Sequence, residues 1–112
     1  MKPKKSASEK VELPDWVKVG SFWYAIEAAH TEMAAAGNYG STEASDLLIK
    51  VDEERPRPIV RETLLHEIIH AAETILPEGE LLHERQCKAL SRLLFQVFTE
   101  NPETRKFIFE ED

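Results

Sequence analysis

From Leu64 to Glu73 the chain reads LLHEIIHAAE, with His66 and His70 four residues apart and Glu67 directly after the first histidine. On a helix, residues i and i+4 stand one turn apart on the same side, so two imidazoles can reach a single metal ion. The glutamate between them projects sideways, where it can meet a water molecule without taking a coordination position. This is the equipment of metal-assisted hydrolysis, in which the metal polarises a carbonyl and the glutamate moves protons. With 4 histidines in 112 residues, the H-E-x-x-H pattern arises by chance only about 0.02 times in a chain of this composition. The metal-site reading therefore outweighs that of a core helix carrying two histidines by accident.

A catalytic zinc takes three protein ligands and leaves one position open. The nearby sequence offers Glu73, Glu78, Glu80, His83, Glu84 and His30 for the third. Glu73 lies seven residues beyond His66, about 10 Å further along the helix axis, and is better placed to orient a histidine than to bind metal itself. Glu78 and Glu80 fall in the turn of PEGE. If the next helix returns antiparallel, its first turns lie beside His70, which leaves His83 and Glu84, and spacing alone does not separate them.

The elements that must carry these residues follow from pattern. On a wheel of 100° per residue, Val60, Leu64, Leu65, Ile68, Ile69, Ala71, Ala72, Ile75 and Leu76 cover half the circumference of a helix over Ile59–Leu76. His66, His70, Glu62, Thr63 and Glu73 share the remaining strip, and Glu67 lies at its edge. Upstream, LPDWVKVGSFWYAI reads as two short strands around Gly20-Ser21, with Trp16, Phe22 and Trp23 expected in strands and core. EAAHTEMAAAGN reads as a helix of about three turns that Gly37 ends. YGSTEAS is turn-like, DLLIKVDEE is a strand, and DEERPRP is expected to be a solvated connection at the base of the site. Beyond PEGE a second long helix runs over Leu81–Glu100, its apolar stripe formed by Cys87, Leu90, Leu94, Val97 and Phe98. Asn101-Pro102 then opens a short last helix through Phe109. The expected fold is α+β: a small N-terminal antiparallel sheet packed on a helical hairpin, with a short C-terminal helix. Residues 1–12 are a flexible basic tail and 13–112 a single minimal domain.

Bulk properties narrow the function further. A net charge of −7 argues against nucleic acid as the main partner, although Lys2, Lys4, Lys5 and Lys10 form a basic arm suited to a DNA-linked regulator. The single cysteine, Cys87, excludes an intrachain disulfide and reads as a small buried residue. No apolar run reaches membrane-span length and the first ten residues lack a signal-type apolar stretch, so the expectation is a cytoplasmic protein with no membrane partner.

The stretch ETLLHEIIHAAE followed by ERQCKALS resembles the small zincin metallopeptidases of the ImmA/IrrE type. It is similar still more closely to short zincin-like proteins of phages and mobile elements, through VKVGSFWY, GNYG, LLIKVDEE, ETLLHEIIH and LFQVFTENPE, over residues 16–103. The resemblance implies one Zn2+ per chain held by His66, His70 and Glu84, with Glu67 as catalytic base. It also implies a protein or peptide substrate, in the way such enzymes cleave repressors in mobile-element regulation. For the donor that stabilises the oxyanion, Tyr39, His30, His83 and Tyr24 are the candidates. A catalytically silent zincin-fold module, for binding or phage assembly, is the alternative.

Overall fold

In a computed structural model of the chain, the structure describes residues 11–75 and 84–110, the side chains at 84–88 and 91 excepted. The turn at Gly20-Ser21 joins β1 (Trp16–Val19) to β2 (Phe22–Ala28) as an antiparallel hairpin, with Val17 opposite Tyr24. β2 extends through Glu27 and Ala28 because Ala28 pairs with Val51. Pairing thereby takes residues from the expected helix, and α1 (His30–Ala36) is two turns long rather than three, stopped by Gly37 at φ 75°.

The YGSTEAS stretch is not only a turn: it contains β3 (Gly40–Glu43), followed by a 3-10 turn over Ala44–Asp46 and then β4 (Leu48–Val51). Gly, Ser and Glu have little strand preference, so β3 is recruited by its partner strand rather than by its own sequence. The sheet order is β1-β2-β4-β3. β2 and β4 run parallel while the other two pairs are antiparallel, so the sheet is mixed and not purely antiparallel as expected. The cause is the intervening crossover: a parallel pair cannot be joined by a tight hairpin.

Three helices follow: α2 (Arg57–Glu73), α3 (Glu84–Glu100) and α4 (Pro102–Phe109). Pro58 and Pro102 sit in the first turns of α2 and α4, where a missing N–H costs no intrahelical bond. The link between α2 and α3, including His83, lies outside the described residues. Val17, Val19, Tyr24, Ile26, Ile49 and Val51 present one sheet face to Val60, Leu64, Ile68, Ala71 and Ala72 of α2. Val97 of α3 and Phe107 and Ile108 of α4 complete this core. Each fully buried aliphatic such as Leu64 or Ile68 contributes about 1.5–3 kcal/mol. α1 lies over the opposite face, where Glu32 binds Lys50 Nζ at 3.0 Å. No helix among the described residues is long and apolar enough to cross a membrane.

Trp16, Phe22 and Trp23 are strand residues but not core residues, at 55%, 54% and 51% exposure. Trp16 and Trp23 alternate with buried Val17 and Tyr24, so they project from the face that α1 leaves open. The tail side of the domain is also joined to the body: Val11 and Leu13 pack against the core.

The two sheet edges are treated differently. On β1, the Lys18 N–H donates to Asn101 Oδ1 and the Lys18 carbonyl accepts from the amides of Asn101 and Gln96. The Gly20 N–H donates to Gln96 Oε1. On β3, the Asp52 N–H donates to the Tyr39 carbonyl, which fixes the alternation: Ser41 and Glu43 bond inward to β4, while the backbone groups of Gly40 and Thr42 face the free edge. This edge lies against α2 only because Gly40 has no side chain. A Cβ there would stand 2.8 Å from Thr63 Cγ2, 3.0 Å from the Lys50 carbonyl oxygen and 3.2 Å from Glu67 Cγ. Gly40→Ala is expected to lose about 1–3 kcal/mol in urea unfolding, as overpacking does, with β3 displaced from α2. An unchanged midpoint would show that β3 tolerates a greater distance from the helix.

Candidate active site

α2 presents His66 and His70 to solvent on one strip, as its wheel requires, and buries Val60, Leu64, Ile68, Ala71 and Ala72 on the other side. The two Nε2 atoms are 3.0 Å apart, with the rings edge-to-face. Nitrogens bound to one tetrahedral zinc at about 2.05 Å stand roughly 3.3 Å apart, so the observed spacing fits a shared cation within a few tenths of an ångström. Glu73 Oε1 lies 3.2 Å from His70 Nδ1. With the proton on Nδ1, His70 donates to Glu73 and turns the lone pair of Nε2 toward His66, the orienting role expected of Glu73.

Glu67 departs from expectation. It is 6% exposed, so it is buried rather than set at the edge of the polar strip. What covers it is β3. Thr42 Oγ1 lies 2.7 Å from Glu67 Oε1 and 3.0 Å from the Glu67 carbonyl oxygen. Glu67 Oε2 accepts no hydrogen bond from the described residues. Two open hollows, of about 600 and 660 Å³, adjoin at Asn38, Gly40, His66 and Glu67. One extends past Thr42 to His70 and Glu73, the other past Tyr39 to Ile59 and Glu62. Together they form a groove between α2 and the free edge of β3.

Glu84 is the first residue of α3, and its side chain lies outside the described set. His83, Glu78 and Glu80 lie outside it entirely. Among the described residues no third histidine, cysteine or carboxylate joins His66 and His70 in a metal-holding group. Of the four oxyanion candidates, Tyr24 is buried in the core and His30 is committed elsewhere. Tyr39 lines the groove, its ring stacked under the Arg55 guanidinium at 4.3 Å. Cys87 too lies in the part of α3 whose side chains are not described.

DEERPRP is solvated only in part: Glu54, Pro56 and Pro58 are exposed, but Asp52 and Glu53 are 1% and 4% exposed. They are buried because they anchor the groove wall. His30 Nδ1 lies 2.7 Å from Asp52 Oδ1, its Nε2 lies 3.4 Å from Glu54 Oε1, and its backbone N–H donates to Glu53 Oε1. Arg55 Nε and the Glu54 N–H also donate to Asp52. Burial alone would push the Asp52 carboxyl up, but the bonds from His30 and the Glu54 N–H, with the nearby charge of Arg55, hold it below its ordinary value of 3.8. The Asp52 hydrogen bond holds His30 above its ordinary 6.5, against partial desolvation.

The sign of each shift sets a stability window. The His30 contribution is complete below 6.5 and is lost as pH rises through the raised folded value. The Asp52 contribution is complete above 3.8 and is lost as pH falls through its lowered folded value. Urea midpoints should therefore decline on both sides of this range, and His30→Gln should flatten the alkaline limb and also reduce the acid limb, because the His30 bond helps lower Asp52. A parent whose midpoint does not change above pH 6.5 would remove His30 from the account. Compared with known family models, with curated proteins and with solved structures, the chain shows no match.

Proposed function

We propose that this chain is a zinc-dependent, metallopeptidase-like hydrolase of the zincin type, similar to the ImmA/IrrE enzymes, acting in the cytoplasm on a peptide bond of a protein partner. The observation that carries the reading is the convergence of His66 and His70 Nε2 at 3.0 Å beside a buried Glu67 on a groove edge. His66 and His70 would hold one Zn2+, with Glu84 at the start of α3 as the third ligand and His83 as the competing choice. Bound zinc supplies a Lewis acid that lowers the pKa of water and polarises a carbonyl. Glu67 takes a proton from the attacking water and returns it to the leaving amine. The outward backbone groups of Gly40 and Thr42 suit an extended peptide pairing along β3. Tyr39, the described candidate that lines the groove, is the donor assigned to the oxyanion. A flexible segment of a phage or mobile-element regulatory protein is the substrate proposed, on the resemblance to zincin-like enzymes that cleave repressors.

A second reading, a catalytically silent zincin-fold module for binding or phage assembly, is favoured by one observation. Trp16 and Trp23 lie half-exposed on the same sheet face, a kind of apolar surface that often marks an interaction site.

Elemental analysis of the chain purified without a histidine tag separates these readings. The expected result is about one zinc per chain, none in His66→Ala and a weakened site in Glu84→Gln. Loss of metal in His83→Ala, with Glu84→Gln unaffected, moves the third ligand by one residue. Glu67→Gln should retain zinc and lose about 10²–10⁴-fold in peptide hydrolysis. Zinc retained without hydrolysis in the parent favours the silent module, and no metal in any form rejects the hydrolase reading.

A further inference from the structure

We propose that Thr42 is the positioning residue for Glu67, and that it ties the base to the strand along which substrate would pair. The inference rests on the hydrolase reading above and deepens it.

The Thr42 hydroxyl lies 2.7 Å from Glu67 Oε1 and 3.0 Å from the carbonyl oxygen of the same residue. A hydroxyl has one proton, and a carboxylate bond is the stronger of the two. Oγ1 therefore donates to Oε1, with the carbonyl as a near alternative that keeps the hydroxyl aligned. Glutamate has three side-chain torsions and would otherwise sample several rotamers. Pinning Oε1 leaves one oxygen, Oε2, without a described partner and presents it to the groove that Glu67 lines. No other described side chain holds the Glu67 carboxylate.

Thr42 also occupies a particular place in β3. Its side chain points to α2, as the direction of a Cβ at Gly40 does, while its own N–H and C=O face the free edge. The same residue would thus bond a peptide lying along β3 and hold the general base through its side chain. A strand shifted by one residue would put Ser41 or Glu43 against the helix and leave Glu67 without its donor. Register of the edge strand and aim of the base are one constraint.

The experiment compares the parent, Thr42→Val and Thr42→Ser, all loaded with zinc. Glu67 side-chain order is read from carbon–proton couplings and methylene NOEs in solution NMR, and hydrolysis from a fluorescence-quenched peptide library. Thr42→Val is expected to keep zinc stoichiometry and to lower the folded midpoint, since it removes the one described donor to a buried carboxylate, while Glu67 averages over rotamers. Its kcat should fall by about 10²-fold, the scale of a misplaced catalytic group. KM should stay within about twofold, the pattern of an interaction made only in the transition state. Thr42→Ser should restore both order and kcat. A single Glu67 rotamer in Thr42→Val, or an unchanged kcat, overturns the proposal. If the parent itself cleaves nothing, the hydrolase reading fails separately, and the NMR comparison alone decides whether Thr42 holds Glu67.

Discussion

The rest of the site depends on how closely β3 approaches α2. Without a side chain at Gly40, the strand comes near enough for a hydroxyl on the residue two positions later to reach a helix carboxylate. That approach buries Glu67, forms the groove and leaves the strand edge as its second wall. The sheet order makes the arrangement possible: among the described residues β3 pairs with β4 on one side only, which leaves its other edge to the groove. The opposite edge shows what a sheet does where no such surface is kept, since Gln96 and Asn101 use their amides to satisfy the backbone of Lys18 and Gly20. Asn101 gives up its usual capping bond at the start of α4 to do this, and no side-chain cap is present there.

Further from the groove, a charged cluster holds the segment that leads into β3. Asp52 receives His30, Arg55 and the Glu54 N–H on its side chain, while its own N–H supports the Tyr39 carbonyl. Arg55 then covers the Tyr39 ring. The wall that carries Tyr39 is thus anchored through a buried carboxylate, which makes its position sensitive to pH in a way that an apolar anchor would not be.

The helical part of the molecule was readable in the sequence because its signals are local. Prolines at first turns, Gly37 at a helix end and the wheel of α2 each act within a few residues, and they place His66 and His70 correctly on an exposed strip. What sequence could not supply was anything decided by pairing between distant segments. β3 has little strand propensity to detect, since Gly, Ser and Glu outnumber Thr42, and the parallel pairing of β2 with β4 follows from the crossover that contains it. Thr42 carries no local signal for the same reason: a threonine in a turn-like stretch gains its partner only when that stretch lies on α2. Charge count says nothing of donors, so the burial of Asp52 is not legible in the acidic run: His30 comes from α1 and Arg55 from within the run itself. Alternation in β1 and β2 did contain a usable signal for Trp16 and Trp23, which fall on the face opposite Val17 and Tyr24.

The two buried carboxylates, compared with each other, argue for the character of the site. Asp52 and Glu67 are both under 10% exposed, and a carboxylate taken out of water costs several kcal/mol unless donors replace the water. Asp52 has a full set on both oxygens and serves as a structural anchor. Glu67 has one hydroxyl on one oxygen, and none of the described residues donates to the other. A helix that needed only to fill this position would be better served by a leucine or a glutamine. The second oxygen instead belongs to a residue that lines the open groove, which sets Glu67 apart from the apolar side of α2. With His66 one residue before it and His70 three residues after it on the same groove, the proton chemistry proposed for Glu67 gives that open oxygen a use, and burial as core packing does not.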